Sequence, residues 1–180
     1  MTDYKLQILP GDELLDLVNE NDEVIGTVLR SAAHKNNALI HREAWVYIFN
    51  DNKQVLLQQR GLNKKIFPGV WVETASGHID AGDSPESSAH RELSEEMNLK
   101  TDLVYFDKFF LKRDIEAAFI YIYYGIYNDS KAISFDKNEV NDVKWIDLDS
   151  IADLLRDSNA DINTTTYTYI FEIARQLKFI

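Results

Sequence analysis

Short blocks of apolar residues, separated by polar turns, fill the first half of the chain. Leu14-Leu15-Asp16-Leu17-Val18 and Val24-Ile25-Gly26-Thr27-Val28-Leu29 flank the polar tract Asn19-Glu20-Asn21-Asp22, which predicts a hairpin within an N-terminal extension, residues 1–30. Residues 30–40 carry little periodicity and read as an irregular connection. A stronger hairpin follows. Ala44 to Phe49 and Gln54 to Arg60, rich in aromatic and β-branched residues, bracket Asn50-Asp51-Asn52-Lys53. Trp71 to Ser76 reads as a further short strand. Ile115 to Tyr127 is almost continuously apolar, as expected of a strand buried on both faces.

Helical signals come later. Ser84-Pro85-Glu86 is a start signal, with Ser as N-cap, Pro at the first helical position and Glu in the first turn. That helix should run to Met97, with Asn98 closing it in the left-handed conformation. Asp147 to Leu155 and Tyr167 to Leu177 also look helical. Strands before and after a central helix imply an α/β fold in which helices pack on a mixed sheet.

Composition narrows the class. With 180 residues the chain is expected to form a single domain, 1–180. Hydrophobic residues make up 45% and charged residues 27%, the balance of an ordinary globule. The net charge of −11 argues against a basic surface for nucleic acid or anionic lipid. The absence of cysteine excludes disulfides, thiolate metal sites and a cysteine nucleophile. The N-terminus lacks the regions of a signal peptide, and no apolar run is long enough for a membrane helix. A cytoplasmic protein without nucleic-acid or membrane partners is therefore expected. A homodimer is compatible with all of this.

The chemistry concentrates in residues 77–99. On a helix, Glu92, Glu95 and Glu96 stand at i, i+3 and i+4, so three carboxylates share one ridge. On a solvated surface they would only repel. A divalent cation supplies the missing charge, and hard oxygen donors suit Mg²⁺ or Mn²⁺. In this sequence Gly77 is followed after five residues by Asp83, and after seven more by Arg91-Glu92-Leu93-Ser94-Glu95-Glu96-Met97-Asn98-Leu99. The segment resembles the box of the Nudix hydrolases. Asp83 stands where that family has Glu, and Asn98 where it has Gly.

The resemblance implies a Nudix-type α/β/α sandwich and hydrolysis of a nucleoside diphosphate linked to a moiety X, or of a related small diphosphate. It implies that Glu92, Glu95, Glu96 and the Gly77 carbonyl hold the metal and that Arg91 orients the glutamates. It leaves Glu92, Glu116 and Glu139 open as general base.

A wider resemblance covers roughly residues 12–155. His41-Arg42, Gln58-Gln59-Arg60, Lys64-Lys65, Phe67-Pro68-Gly69-Val70-Trp71 and Gly77-His78 look like the Nudix subgroup close to type I isopentenyl diphosphate isomerase. That likeness implies a second metal site from His34, His41 and His78, with Asp114 and Glu116 as carboxylates. Ser76, however, occupies the place of the isomerase's catalytic cysteine. A hydroxyl is far less acidic than a thiol, so a hydrolase is expected ahead of an isomerase. Arg60, Lys64 and Lys65 are candidate phosphate ligands in an otherwise acidic chain. Trp71 is expected in the core and His90 on a solvated helix face.

Overall fold

The computed structural model describes residues 12–64, 66–129, 133–151 and 164–180. Among these, nine strands form one mixed sheet. β1 (Leu14–Val18) and β2 (Val24–Leu29) make the expected N-terminal hairpin. A short helix, α1 (Arg30–Ala33), stands where an irregular connection was expected. It leads into β3 (Ile40–Asn50), the hub of the sheet. The C-terminal end of β3 turns antiparallel into β4 (Gln54–Arg60).

The strand expected over 71–76 is broken in two, β5 (Trp71–Val72) and β6 (Ala75–His78). At the break the buried Thr74 hydroxyl donates to the Leu56 carbonyl (2.6 Å) and accepts from the Ile48 amide (2.9 Å). A side chain thus replaces one rung of the ladder. Helix α2 (Pro85–Met97) follows, then β7 (Val104–Lys112) and β8 (Ala117–Ile126). β8 runs parallel to β3, from Ile40 opposite Ala117 to Phe49 opposite Ile126, and pairs with β7 on its other side. β9 (Val140–Asp147) lies antiparallel to β4. Residues 148–151 are helical; the rest of the helix expected to Leu155 lies outside the described residues. Helix α3 (Thr164–Gln176) closes the fold.

Two cores sandwich the sheet, and the alternation of β3 divides them. Ala44, Val46 and Ile48 pack with Ala89, Leu93, Met97 and Leu99 from α2 and its end. Trp45, Tyr47 and Phe49 pack with Tyr167, Ile170, Ile173 and Ala174 of α3. Each large aliphatic buried this way contributes roughly 1.5–3 kcal/mol. The architecture is thus an α/β/α sandwich on a mixed sheet. Among the described residues no helix is long and apolar enough to cross a membrane.

Candidate metal and diphosphate site

The end of α2 nearest β6 carries the glutamate ridge. The helix forms as the sequence predicts. The Ser84 hydroxyl accepts from the Ser87 amide, Pro85 opens the first turn, and Asn98 takes φ 49° and ψ 33°. Packing Ala89, Leu93 and Met97 onto β3 turns Glu92 and Glu96 toward β6. Their partner there is Gly77. A Cβ at position 77 would lie 2.2 Å from the Glu92 carboxyl carbon, so glycine is required for close approach.

Arg91 straps this arrangement. Its Nη1 lies 2.7 Å from Glu92 and 3.3 Å from Glu95, and its Nη2 donates to the His78 carbonyl at 2.9 Å. Glu96 is buried and accepts from the Gln58 amide (2.8 Å) and the Ser76 backbone N–H (3.1 Å). Burial, reinforced by Glu92, pushes the Glu96 carboxyl up to about 8. Glu92 is likewise raised by burial, against the pull of Arg91. Arg91 balances one carboxylate of this buried pair but not both, and the remaining negative charge is what a divalent cation would relieve. Glu95 is the exposed member of the ridge.

Gly77 and His78 alternate, so His78 points to the opposite face of the β3–β6 pair. There it meets His34, which follows α1, and His41 on β3. The three rings lie with centroids 4.9–5.4 Å apart, and the Nε2 atoms of His34 and His78 are 2.9 Å from each other. One donor atom from each ring falls within 4.8 Å of the others, and His41, Glu43 and Glu116 form a second such group. His41 is fully buried, and neither of its ring nitrogens has a hydrogen-bond partner. Its Nε2 instead faces Glu43 Oε1 at 3.5 Å. Burial and the neighbouring His78 and His41 lower His34 to about 4. Glu13 reaches His78 Nδ1 at 3.0 Å; against its own burial, His78 and Arg30 hold it at about 2. A buried imidazole with no hydrogen-bond partner, grouped with two further imidazoles and with the Glu43 and Glu116 carboxylates, offers the mixed N and O donors that suit a borderline cation such as Zn²⁺.

The structure revises the expected ligand set. Asp114 is exposed in the turn between β7 and β8 and belongs to neither group of clustered ligand atoms. Only its backbone carbonyl engages, accepting from Asn37 at 3.3 Å. Glu43, not Asp114, lies grouped with His41 and Glu116. The sequence reading missed it, although the strand period of two puts Glu43 on the face of His41, and the β3–β6 register sets it opposite His78. Glu116 is buried as expected, 3.5 Å from His34 and 2.5 Å from Arg113.

Of the remaining candidates, Lys64 pairs with Glu139, and Arg60 donates to the Ile66 carbonyl at 3.2 Å. Burial and nearby Arg60 lower Lys64, while Glu96 pulls the other way. Lys65 lies outside the described residues. Asp83 and His90 are exposed, and Trp71 is half-buried beneath Lys144. Near Ser76 lies Glu73, a buried carboxyl raised by burial and hydrogen-bonded by the Thr166 hydroxyl at 2.8 Å.

An isopentenyl-diphosphate Delta-isomerase of Pectobacterium atrosepticum is 36% identical over 140 residues, covering 75% of this chain and 76% of that protein. Isopentenyl-diphosphate Delta-isomerase 2 of Photorhabdus laumondii is 29% identical over 164 residues, 88% of this chain and 90% of that one. A crystal structure of a Deinococcus radiodurans protein superposes with a TM-score of 0.73 at 21% identity, covering 89% of this chain and 98% of its own, which shows a shared fold. Residues 39–167 match the NUDIX domain, and the chain belongs to the Nudix family.

Proposed function

We propose that this chain is a metal-dependent hydrolase of a small diphosphate, either a nucleoside diphosphate linked to a moiety X or a related compound. The observation that carries the reading is the Glu92–Glu95–Glu96 ridge, complete and strapped by Arg91 against Gly77. A divalent cation bound there, Mg²⁺ or Mn²⁺, supplies charge neutralisation for the diphosphate and acidifies water. The chain's own groups do the rest. Glu92 and Glu96 present their oxygens from a fixed helix, and Gln58 and the Ser76 amide hold Glu96 in place. Arg91 fixes the rotamers of Glu92 and Glu95 through charge-assisted bonds. Lys64 and Arg60 approach from the opposite loop to meet phosphate oxygens. Of the three carboxylates expected as base, Glu92 stands on the ridge and Glu139 pairs with Lys64, whereas Glu116 lies with the histidines on the other face.

The names of the curated relatives, together with the histidine cluster, favour a second reading, an isopentenyl diphosphate isomerase. Two features of this chain oppose it. Ser76 offers no ionisable thiol, and the wall behind it is polar: buried Glu73, Thr166, and the unpartnered hydroxyls of Tyr47 and Tyr167. A buried carboxyl beside a hydrocarbon tail is costly.

The test is to incubate the protein with Mg²⁺ or Mn²⁺, with and without Zn²⁺. The substrates are nucleoside diphosphates, nucleotide sugars, dinucleotides and isopentenyl diphosphate. Phosphate or monophosphate release is expected. It should be abolished by chelator and reduced on the order of a hundredfold by Glu95→Gln or Glu96→Gln. Ser76→Ala should change it only modestly. Isomer formation without phosphate release would replace this reading with the second.

A further inference from the structure

His78 is approached from two sides, and its ring nitrogens face different parts of the molecule. Nε2 looks into the histidine cluster, 2.9 Å from His34 Nε2 and 4.0 Å from Glu43 Oε1. Nδ1 looks the other way, toward the N-terminal hairpin, where Glu13 Oε2 stands 3.0 Å from it. Glu13 immediately precedes β1 and, like His34, lies outside the residues 39–167 that match the NUDIX domain.

The start of the hairpin holds that carboxylate still. Glu13 Oε1 accepts from Arg30 Nη1 at 2.7 Å, and the Glu13 carbonyl accepts from the Arg30 backbone N–H at 2.9 Å. Asp12 beside it accepts from the Ser31 amide (3.1 Å) and hydroxyl (2.7 Å). Arg30 and Ser31 both belong to α1, whose C-cap is His34. β1 also grips the segment that follows β6. Leu15 bridges Asp80, the Leu14 carbonyl accepts from the Ala81 N–H at 2.8 Å, and Asp16 accepts from the Gly82 N–H at 3.3 Å. Carboxylate and imidazole are thus carried on backbone segments fixed against each other. Anchoring the hairpin to α1 needs only the oxygen that Arg30 takes; the other meets His78.

We infer that Glu13 is a positioning residue of the histidine metal site, and that it selects Nε2 of His78 as the metal-binding nitrogen. A carboxylate offers lone pairs and no proton, so the nitrogen beside it must carry the proton and is closed to a metal. The other nitrogen keeps its lone pair, and it is the one that faces His34 and Glu43. The carboxylate also fixes the ring plane and makes Nε2 the stronger donor. Because the hairpin raises metal affinity, bound metal must steady the hairpin in return. This role is independent of which reaction the glutamate ridge performs.

The test titrates the full chain with Zn²⁺, with excess Mg²⁺ present to occupy the glutamate ridge. In the loaded parent, ring ¹⁵N NMR should place the proton of His78 on Nδ1 and the metal on Nε2. Glu13→Ala should lower Zn²⁺ affinity about 10- to 100-fold. Arg30→Met removes the anchor but leaves the carboxylate, and as an exposed ion pair its loss should change affinity by no more than about threefold. Zn²⁺ should slow hydrogen exchange of the β1–β2 amides in the parent and much less in Glu13→Ala. No Zn²⁺ binding by the parent, metal on Nδ1 of His78, unchanged affinity in Glu13→Ala, or an equal loss in Arg30→Met would each overturn the inference. Should Glu13→Ala not fold, the His78 ring of the parent decides alone: a proton on Nδ1 supports the role, and a metal there refutes it.

Discussion

At the scale of single residues, the site turns on which side chain is allowed to be near which. Gly77 has no unusual backbone conformation to protect; its role is to leave room for the Glu92 carboxylate. Gly77→Ala should therefore fold normally and still lose about a hundredfold in phosphate release, because the glutamate must move by an ångström or more. Circular dichroism and thermal midpoint near those of the parent, with turnover lost, is the expected result; unchanged turnover would mean that Glu92 does not act at Gly77. On the other face of β6 the question is which carboxylate completes the histidine set. Glu43→Gln should weaken Zn²⁺ or Mn²⁺ binding about tenfold or more, and Asp114→Asn should leave it within about twofold, measured by titration of the protein with the metal alone. The reverse order would return Asp114 to the site. The three glutamates were grouped by the spacing of one helix and Arg91 by the motif beside them, whereas the three histidines were grouped only by the likeness to the isomerase subgroup. Glu43 was not singled out because a lone Glu on a strand looks like surface until the register places it opposite His78.

At the scale of elements, local chemistry explains what could be read and what could not. Helix α2 was legible at both ends because its caps are written in side chains: Ser84 at the start and left-handed Asn98 at the close. The closing position gives a clean test. Asn98→Ala should cost about 1 kcal/mol, since alanine pays more for the left-handed conformation, while Asn98→Gly should stay within about 0.5 kcal/mol of the parent. Both lose the bond from the Asn98 amide to Ser134, so the difference between them isolates the backbone; equal unfolding midpoints in urea would contradict the cap. β7 and β9 were not legible. β7 carries Asp107-Lys108 at its centre and is largely exposed, so its apolar residues never form an alternating run. β9, with Asn141-Asp142 and Lys144, is drawn into the sheet by pairing with β4 rather than by its own pattern. The break between β5 and β6 was hidden too, because a threonine that replaces a ladder bond looks like any other strand residue. In each case a distant partner decided the structure.

At the scale of the whole molecule, one buried carboxylate ties the N-terminal hairpin to the far side of the sheet. Asp22, in the β1–β2 turn at φ 64°, has a side chain only 4% exposed. It accepts from Arg42 on β3 at 2.6 Å, from Lys108 on β7 at 2.7 Å, and from the Tyr121 hydroxyl on β8. Burial alone would raise its pKa, but the bonds from Lys108, Tyr121 and Arg42 outweigh it and hold the carboxyl below its ordinary value of 3.8. A group depressed in the folded state stabilises the fold above its unfolded pKa. That contribution is lost as pH falls through the folded pKa. Asp22 therefore supports the hairpin fully at neutral pH, and its contribution should fade only from about pH 4 downward. Asp22→Asn keeps the size but removes the charge, leaving Lys108 without its counter-ion and Arg42 with only Asp16, at 3.6 Å. It should cost roughly 2 kcal/mol at pH 7, measured by urea unfolding. Glu13 and Glu43 are also depressed and titrate over neighbouring acid values, so the parent and the variant should both weaken in acid. The parent should weaken more steeply, and the two curves of unfolding free energy against pH should converge as pH falls through the folded-state pKa of Asp22. Parallel curves across that range would mean that Asp22 gains nothing from its ionised form, and that the hairpin is held by Leu15 and Val28 packing instead.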